Sequence, residues 1–351
     1  MSATREVHVA EPASVGVTFV VPVLNEEHYI GSAVESILAQ DGCTGSPILL
    51  VRGRSTDGTN AIIDGLCARH PEVSVIENPD NGISIALNKG FAAATTDVVV
   101  RVDAHSVLPA DYTRRMLAAI TRADAVNVGG RMLAEGLSPF QRAVAWAYNS
   151  PAGLGGGVYH VGGDAGPAES AYLGVFRRDA VLAVGGFDEH LSRGEDWELN
   201  FRLRRAGGTV WFEPRVEVIY RPRSTVRALA KQFFASGRWR GELIRRFPGH
   251  NGLRFYLPPL LVVSLAVAIG AGIAAFFTHG NAAVAWTAAG ALPGIAYAGW
   301  LILAVVGARG LPWPSRALLP VVLPVMHLSW GGGCLLGLVR PTRGLNAFSG
   351  R

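Results

Sequence analysis

The chain has 351 residues, room for about two domains at the usual ~100–200 residues each. Its residues are 49% apolar and only 17% charged, where a soluble domain carries roughly a quarter charged, which excludes an ordinary soluble protein throughout. The net charge of +5 is almost all arginine, since Lys89 and Lys231 are the only lysines; it points to anionic lipid or a phosphorylated substrate, and no motif for nucleic-acid binding accompanies it.

Residues 1–14 form a polar tail without the charged, apolar and small-residue succession of a secretory signal, so the domain that follows is expected in the cytoplasm. Residues 15–23 (VGVTFVVPV) are a continuous apolar run rich in β-branched side chains, the pattern of a strand buried on both faces. The pattern then alternates: helix over 28–40, strand over 48–52, helix over 59–70, strand over 73–77, helix over 83–94, strand over 97–102. Such spacing predicts βαβ units in a mostly parallel sheet, with ligands at the carboxyl ends of its strands. Cys43, Cys67 and Cys334 lack CxxC spacing and indicate neither a disulfide framework nor a zinc site.

After Asp111 the pattern loosens into an α+β section containing a glycine-rich stretch, SPAGLGGGVYHVGGDAG, residues 150–166. No GK[ST] follows it, so it is not a P-loop, and it reads as a flexible linker or as a lid over a substrate. Three acidic features fall where elements meet the expected ligand edge. PVLNEE (22–27) follows the first strand, and RVDAHS (101–106) follows the fourth, with Asp103 and His105 spaced to face one Mg²⁺ or Mn²⁺ ion. In GEDWELNFRLRRAGG (194–208), Glu195, Asp196 and Glu198 open an amphipathic helix, where a carboxylate either caps the helix or serves as a general base.

Residues 224–254 form a basic amphipathic segment with Arg227, Lys231, Arg238, Arg240, Arg245 and Arg246 on a helical pattern, expected to lie on an anionic leaflet. The stretches 255–277, 282–306 and 317–339 contain no ionised residue and are each long enough, at about 1.5 Å per residue, to cross a ~30 Å hydrocarbon core. Residues 255–339 therefore read as a membrane domain of about three transmembrane helices, followed by a tail over 340–351. Three crossings put Arg340, Arg343 and Arg351 outside, against the positive-inside rule, unless the third stretch is re-entrant.

The order PxxNEE, STDGT, a DxD-like triplet after an apolar strand, GGFDE, EDWELNFRLRRAG and QFFASGRW resembles the inverting family-2 glycosyltransferases of GT-A fold, over roughly residues 15–240. RVDAHS with GEDWELNFRLRRAGG, and the apolar helices behind them, resemble the succinoglycan-biosynthesis (ExoA-type) branch. The resemblance implies a GT-A, Rossmann-like nucleotide-diphospho-sugar transferase domain over 15–223. It implies Asp196 as catalytic base with Glu195 beside it. For the donor it implies Pro22, Asn25, Glu26, Arg52, Asp57, Arg101 and Asp103, with Arg52 standing where the family has an Asp that contacts the base. Asp103 would hold the metal, and His105 takes the place of the family's second Asp. Gln232, Arg238 and Trp239 lie in a stretched form of the QxxRW signature, near diphosphate and acceptor. The implied partners are a nucleotide sugar, a UDP-sugar first, a polyprenyl-linked or glycan acceptor and anionic membrane lipid, at a bacterial inner membrane with the catalytic domain cytoplasmic. Alternatives are transfer directly to polyprenyl phosphate, an inactive scaffold of a polysaccharide-synthesis complex, or a transport subunit; the spans lack the interior charges that transport pathways usually require.

Overall fold

The computed structural model describes residues 16–191 and 193–341; the N-terminal tail over 1–14, Ser192, and Arg343 and Arg351 of the C-terminal tail lie outside them. The first apolar run forms β1 (Val17–Val23), buried along its whole length. In order there follow α1 (Ile30–Leu38), β2 (Ile48–Gly53), α2 (Thr59–Arg69), β3 (Val73–Asn78), α3 (Ile83–Ala93) and β4 (Val98–Arg101). β1 lies between β2 and β4, and β3 is beyond β2, all parallel. The helices cover both faces, so Val20, Val51 and Val99 pack on α3 while Val21, Leu50 and Val100 face α1 and α2.

The next elements are α4 (Tyr112–Arg122), β5 (Asn127–Ala134), α5 (Pro139–Tyr148), α6 (Pro151–Leu154), α7 (Val158–Val161), β6 (Gly166–Pro167), β7 (Tyr172–Arg177), α8 (Arg178–Ala183), α9 (Glu195–Arg205) and β8 (Val210–Tyr220). The strand order is β3-β2-β1-β4-β7-β5-β8-β6. The parallel expectation holds as far as β4 and then fails. β7 runs antiparallel between β4 and β5, whereas β5 and β8 pair in parallel, giving a mixed sheet. The ladder is irregular at Gly129 and Gly130 of β5, where any side chain would collide with Ala171 and with the Val216 carbonyl.

Behind the sheet come α10 (Val226–Arg246), α11 (Leu257–Phe276), α12 (Gly280–Gly307), α13 (Trp313–Arg316) and α14 (Leu319–Val339). Among the described residues, three segments are long and apolar enough to cross a membrane: Leu253–Phe276, Gly280–Gly307 and Trp313–Val339. They differ in how far the protein covers them, 17%, 0% and 39% of the most apolar window being buried. The third is the exception because α10 runs parallel to it in close contact. Gly237 and Gly241 of α10 lie against the backbone of Trp330 and Cys334, and Gly333 and Gly337 of α14 lie against that of Phe234 and Arg238; a Cβ at any of the four would overlap the other helix. Leu229 and Phe233 of α10 share one core with Leu319, Val322 and Met326 of α14 and Val144 of α5. The apolar face of α10, expected to meet lipid, is thus largely covered by protein.

Candidate active site

The carboxyl ends of β1 and β4, the first turn of α9, the middle and later turns of α10, the start of α11 and the α6–α7 segment surround a cavity of about 750 Å³. At its polar end Arg101 closes β4. Only 4% of this side chain is exposed, and it is gripped by three carboxylates. Its Nη1 donates to Asp196 Oδ1, its Nε and Nη2 to Asp103 Oδ1 at 3.4 and 3.2 Å, and its Nη2 to Glu195 Oε1 at 3.5 Å. Burial opposes the guanidinium charge, but these carboxylates overcome it and hold the Arg101 pKa above its ordinary value.

Asp196 behaves oppositely. Its side chain keeps 30% of its surface accessible, but that surface opens into the cavity, and burial pushes its pKa up to about 7 against the pull of Arg101, with Glu195 and Asp103 adding repulsion. It is not a helix cap. Gly194 occupies the N-cap position at φ 76°, a left-handed conformation suited to glycine, and no side chain caps α9. Asp196 is thereby left in the first turn with its carboxylate on Arg101, while Glu198 is committed to Arg202 at 2.7 Å.

The other expected residues divide into two groups. Pro22, Glu26, Arg101, Asp103, His105, Glu195, Asp196 and Trp239 all line the cavity. Asn25 and Asp57 do not; they knit the loop after β1 to the STDGT turn. Asn25 Oδ1 accepts from Thr56 N at 2.8 Å, and Asp57 Oδ2 accepts from Glu27 N at 3.3 Å. Arg52 also points elsewhere, donating to Asp64 Oδ1 at 2.6 Å and forming an ion pair with Glu77 across β2 and β3. Gln232 donates to the Tyr220 hydroxyl at 2.9 Å, and Arg238 lines a separate hollow with Lys231 and Phe234.

His105 and Asp103 both line the cavity. His105 Nδ1 is 3.0 Å from Glu26 Oε1, and among the described residues no three His, Cys, Asp or Glu side chains are arranged to hold a metal. Both Arg101 bonds to Asp103 fall on Oδ1. This donor set does not fit a cation enclosed by protein, but it fits one bound through Asp103 Oδ2 and completed by substrate oxygens.

Sequence patterns alone did not mark several cavity residues. Arg240, next to Trp239 in the basic run expected to meet lipid, instead faces the cavity and stacks on Trp197 and Phe255, its Cζ 4.8 and 3.8 Å from the ring centroids. Arg254 donates to Glu169 Oε2 at 2.6 Å, and Glu169 Oε1 accepts from Trp197 Nε1 at 2.6 Å. The glycine-rich stretch supplies wall rather than a bare linker: Gly155, Gly156 and Gly162, at φ 70°, 82° and 85°, turn the chain so that Tyr159 and His160 reach the cavity. Burial, reinforced by Arg254, pulls the His160 pKa down to about 3, so the ring is neutral. The far wall is apolar and comes from the long helices, with Leu257 and Leu261 of α11, Trp300 of α12 and Trp330 of α14.

Residues 18–185 match glycosyl transferase family 2. The chain is 35% identical to the succinoglycan biosynthesis protein ExoA of Rhizobium meliloti (strain 1021), over 92% of this chain and 95% of that protein. It is 24% identical to a dolichyl N-acetyl-alpha-D-glucosaminyl phosphate 3-beta-D-2,3-diacetamido-2,3-dideoxy-beta-D-glucuronosyltransferase of Methanococcus voltae, over 72% of this chain and 83% of that one. Among solved structures, S. aureus TarS residues 1–349 align with a TM-score of 0.47 at 14% identity, covering 92% of this chain and 90% of that one.

Proposed function

Since this chain belongs to glycosyl transferase family 2, we propose that it is a membrane-bound inverting enzyme that moves a sugar from a nucleoside-diphosphate sugar to a lipid-linked saccharide, in exopolysaccharide or cell-envelope glycan synthesis. One observation carries this reading: a single cavity has Asp196 and its carboxylate cluster at one end and the apolar helices α11, α12 and α14 at the other. A reaction on a water-soluble acceptor has no use for that second wall.

In this reading Pro22, Glu26, Arg101 and Asp103 form the donor side, at the carboxyl ends of β1 and β4, where doubly wound sheets bind nucleotides. An acceptor hydroxyl approaches Asp196, which removes its proton as the oxygen attacks the anomeric carbon. A pKa of about 7 suits a base working near neutrality, because it is ionised often enough to act and basic enough to accept. One displacement without a covalent intermediate inverts the configuration. Arg101 holds Asp196 in place through Nη1 and keeps the three carboxylates from repelling one another apart. A Mg²⁺ or Mn²⁺ ion held at Asp103 would supply neutralisation of the departing diphosphate. In this reading the protein sits at a bacterial inner membrane, with the catalytic domain on the cytoplasmic side where nucleotide sugars are made.

The test is to incubate membranes containing the protein with a panel of radiolabelled nucleotide sugars and extracted lipid. Transfer into the lipid fraction that disappears in Asp196→Asn supports the proposal. No transfer from any donor defeats it.

A further inference from the structure

We propose that Arg240 and Arg254 form the site for the phosphate group of a lipid-linked acceptor, and that its hydrocarbon chain leaves the cavity along Leu261, Trp300 and Trp330. This rests on the glycosyltransferase reading and deepens it, by naming where the amphiphilic acceptor is gripped.

The argument begins with an imbalance of charge. Among the arginines that line the cavity, Arg101 has three carboxylates within reach and Arg254 has Glu169. Arg240 has no carboxylate within ion-pair distance among the described residues. Its Nη1 donates to the neutral Asn251 Oδ1 at 3.2 Å, and its flat face is sandwiched by Trp197 and Phe255. Such a clamp fixes the plane of a guanidinium while leaving its remaining N–H groups to a ligand, and a planar fork of this kind suits phosphate oxygens. Withdrawal from water pulls the Arg240 pKa down to about 10, and an arriving anion would relieve that strain on its charge.

Arg254 completes a two-cation cluster. Glu169 neutralises part of its charge at 2.6 Å and also ties down the Trp197 ring that stacks on Arg240, so one carboxylate orients both arginines. His160 adds a neutral imidazole whose Nδ1 is buried and lacks a hydrogen-bond partner among the described residues. Arg254 lies three residues before the start of α11, so the cationic pair stands at the junction of polar and apolar walls. The donor diphosphate is the other possible anion. It is less well served here, because the donor side is built from β1 and β4, whereas these arginines come from α10 and the entry to α11. A ligand that spans carboxylate cluster, cations and apolar helices in that order is a saccharide joined through phosphate to a long hydrocarbon.

The experiment uses the full chain in lipid nanodiscs with two probes, a long-chain polyprenyl phosphate and the corresponding polyprenol, and with UDP as the nucleotide probe. The wild type should prefer the phosphate by about tenfold or more, the worth of one or two charge-assisted hydrogen bonds. Arg240→Gln and Arg254→Gln should each abolish most of that preference, Arg240→Lys should retain part of it, and UDP affinity should stay within about twofold in all of them, which also shows that the variants are folded. Loss of UDP affinity instead would assign the arginines to the donor. Equal binding of phosphate and alcohol by the wild type would overturn the inference while leaving the transfer reaction untouched; preference for the phosphate without any sugar transfer would overturn the proposed reaction and leave this site standing.

Discussion

Arg101 at the end of β4 donates through Nη1 to Asp196 Oδ1 in the first turn of α9, joining that strand to that helix across 95 residues of sequence. The bond matters because burial and two neighbouring carboxylates push the Asp196 pKa up, and Arg101 is the group that opposes them. A base must be ionised, so kcat/KM should fall on the acid side of about pH 7. Removing the cation in Arg101→Gln leaves the upward influences unopposed and should move that limb to higher pH. A pH–rate profile measured from pH 5 to 9 checks the sign; a limb that stays in place or moves down means Arg101 does not hold the base.

Asp196→Asn keeps the shape and loses the proton acceptor. The expected result is a fall in kcat of about 10²–10⁴, the usual contribution of a general base. Affinity for the nucleoside diphosphate, measured by calorimetry, should be unchanged. A comparable loss of nucleotide affinity would make Asp196 a donor-binding group.

Arg52 stands where the family resemblance places an Asp that reads the base, but its guanidinium is spent on Asp64 and Glu77. Arg52→Gln should leave the donor KM within about twofold. It should lower stability by no more than ~1 kcal/mol, as for partly exposed ion pairs. A donor KM raised tenfold would show that the side chain swings to the nucleotide during turnover.

The close contact of α10 with α14 depends on four glycines, and none has room for a side chain. Gly333→Leu should force the helices apart and destabilise the protein by ~1–3 kcal/mol, as overpacking of a tight core does. Thermal unfolding in detergent would report it. A leucine at Gly294 of α12, where nothing lies within 4 Å of a Cβ, is the control that should leave the midpoint unchanged.

The strands and helices through β4 were legible because period and composition agree there: an apolar run such as Val17–Val23 has only one comfortable place in a βα sheet. β7 was not, since its sense is set by insertion between β4 and β5, a long-range choice that local pattern does not encode. In the site, Asp103, Glu195 and Asp196 were readable from their positions at element ends. Arg254 and Glu169 were not, because their meeting depends on packing the start of α11 against the catalytic domain. Spacing at Asp103 and His105 did not reveal Glu26, whose Oε1 meets His105 Nδ1 and leaves the other ring nitrogen outside that contact.

The same packing bears on how many times the chain crosses the membrane. If α14 spanned the bilayer, α10 would go with it, because Gly241 touches Leu338 near the far end of α14. One turn further along, Arg246 is bonded to Asp188 of the catalytic domain at 2.5 Å, so that end of α14 lies at the level of the sheet domain. Arg227, Lys231 and Arg245 would also have to enter hydrocarbon, at about 2.5–3.5 kcal/mol each. α11 meets α14 over its first turns, with Pro258 and Val262 against Gly331, which places the middle of α14 where α11 starts its crossing. The expectation is therefore a two-span hairpin of α11 and α12, with α14 held on the side of the catalytic domain. Arg254, Arg309, Arg316 and Arg340 then share one side, as the positive-inside rule favours. Alkaline phosphatase fused after Val339 should be inactive and a fluorescent protein at the same point bright, whereas phosphatase inserted between Thr278 and Gly280 should be active. Active phosphatase after Val339 would establish three crossings and require α10 to part from α14 in the membrane.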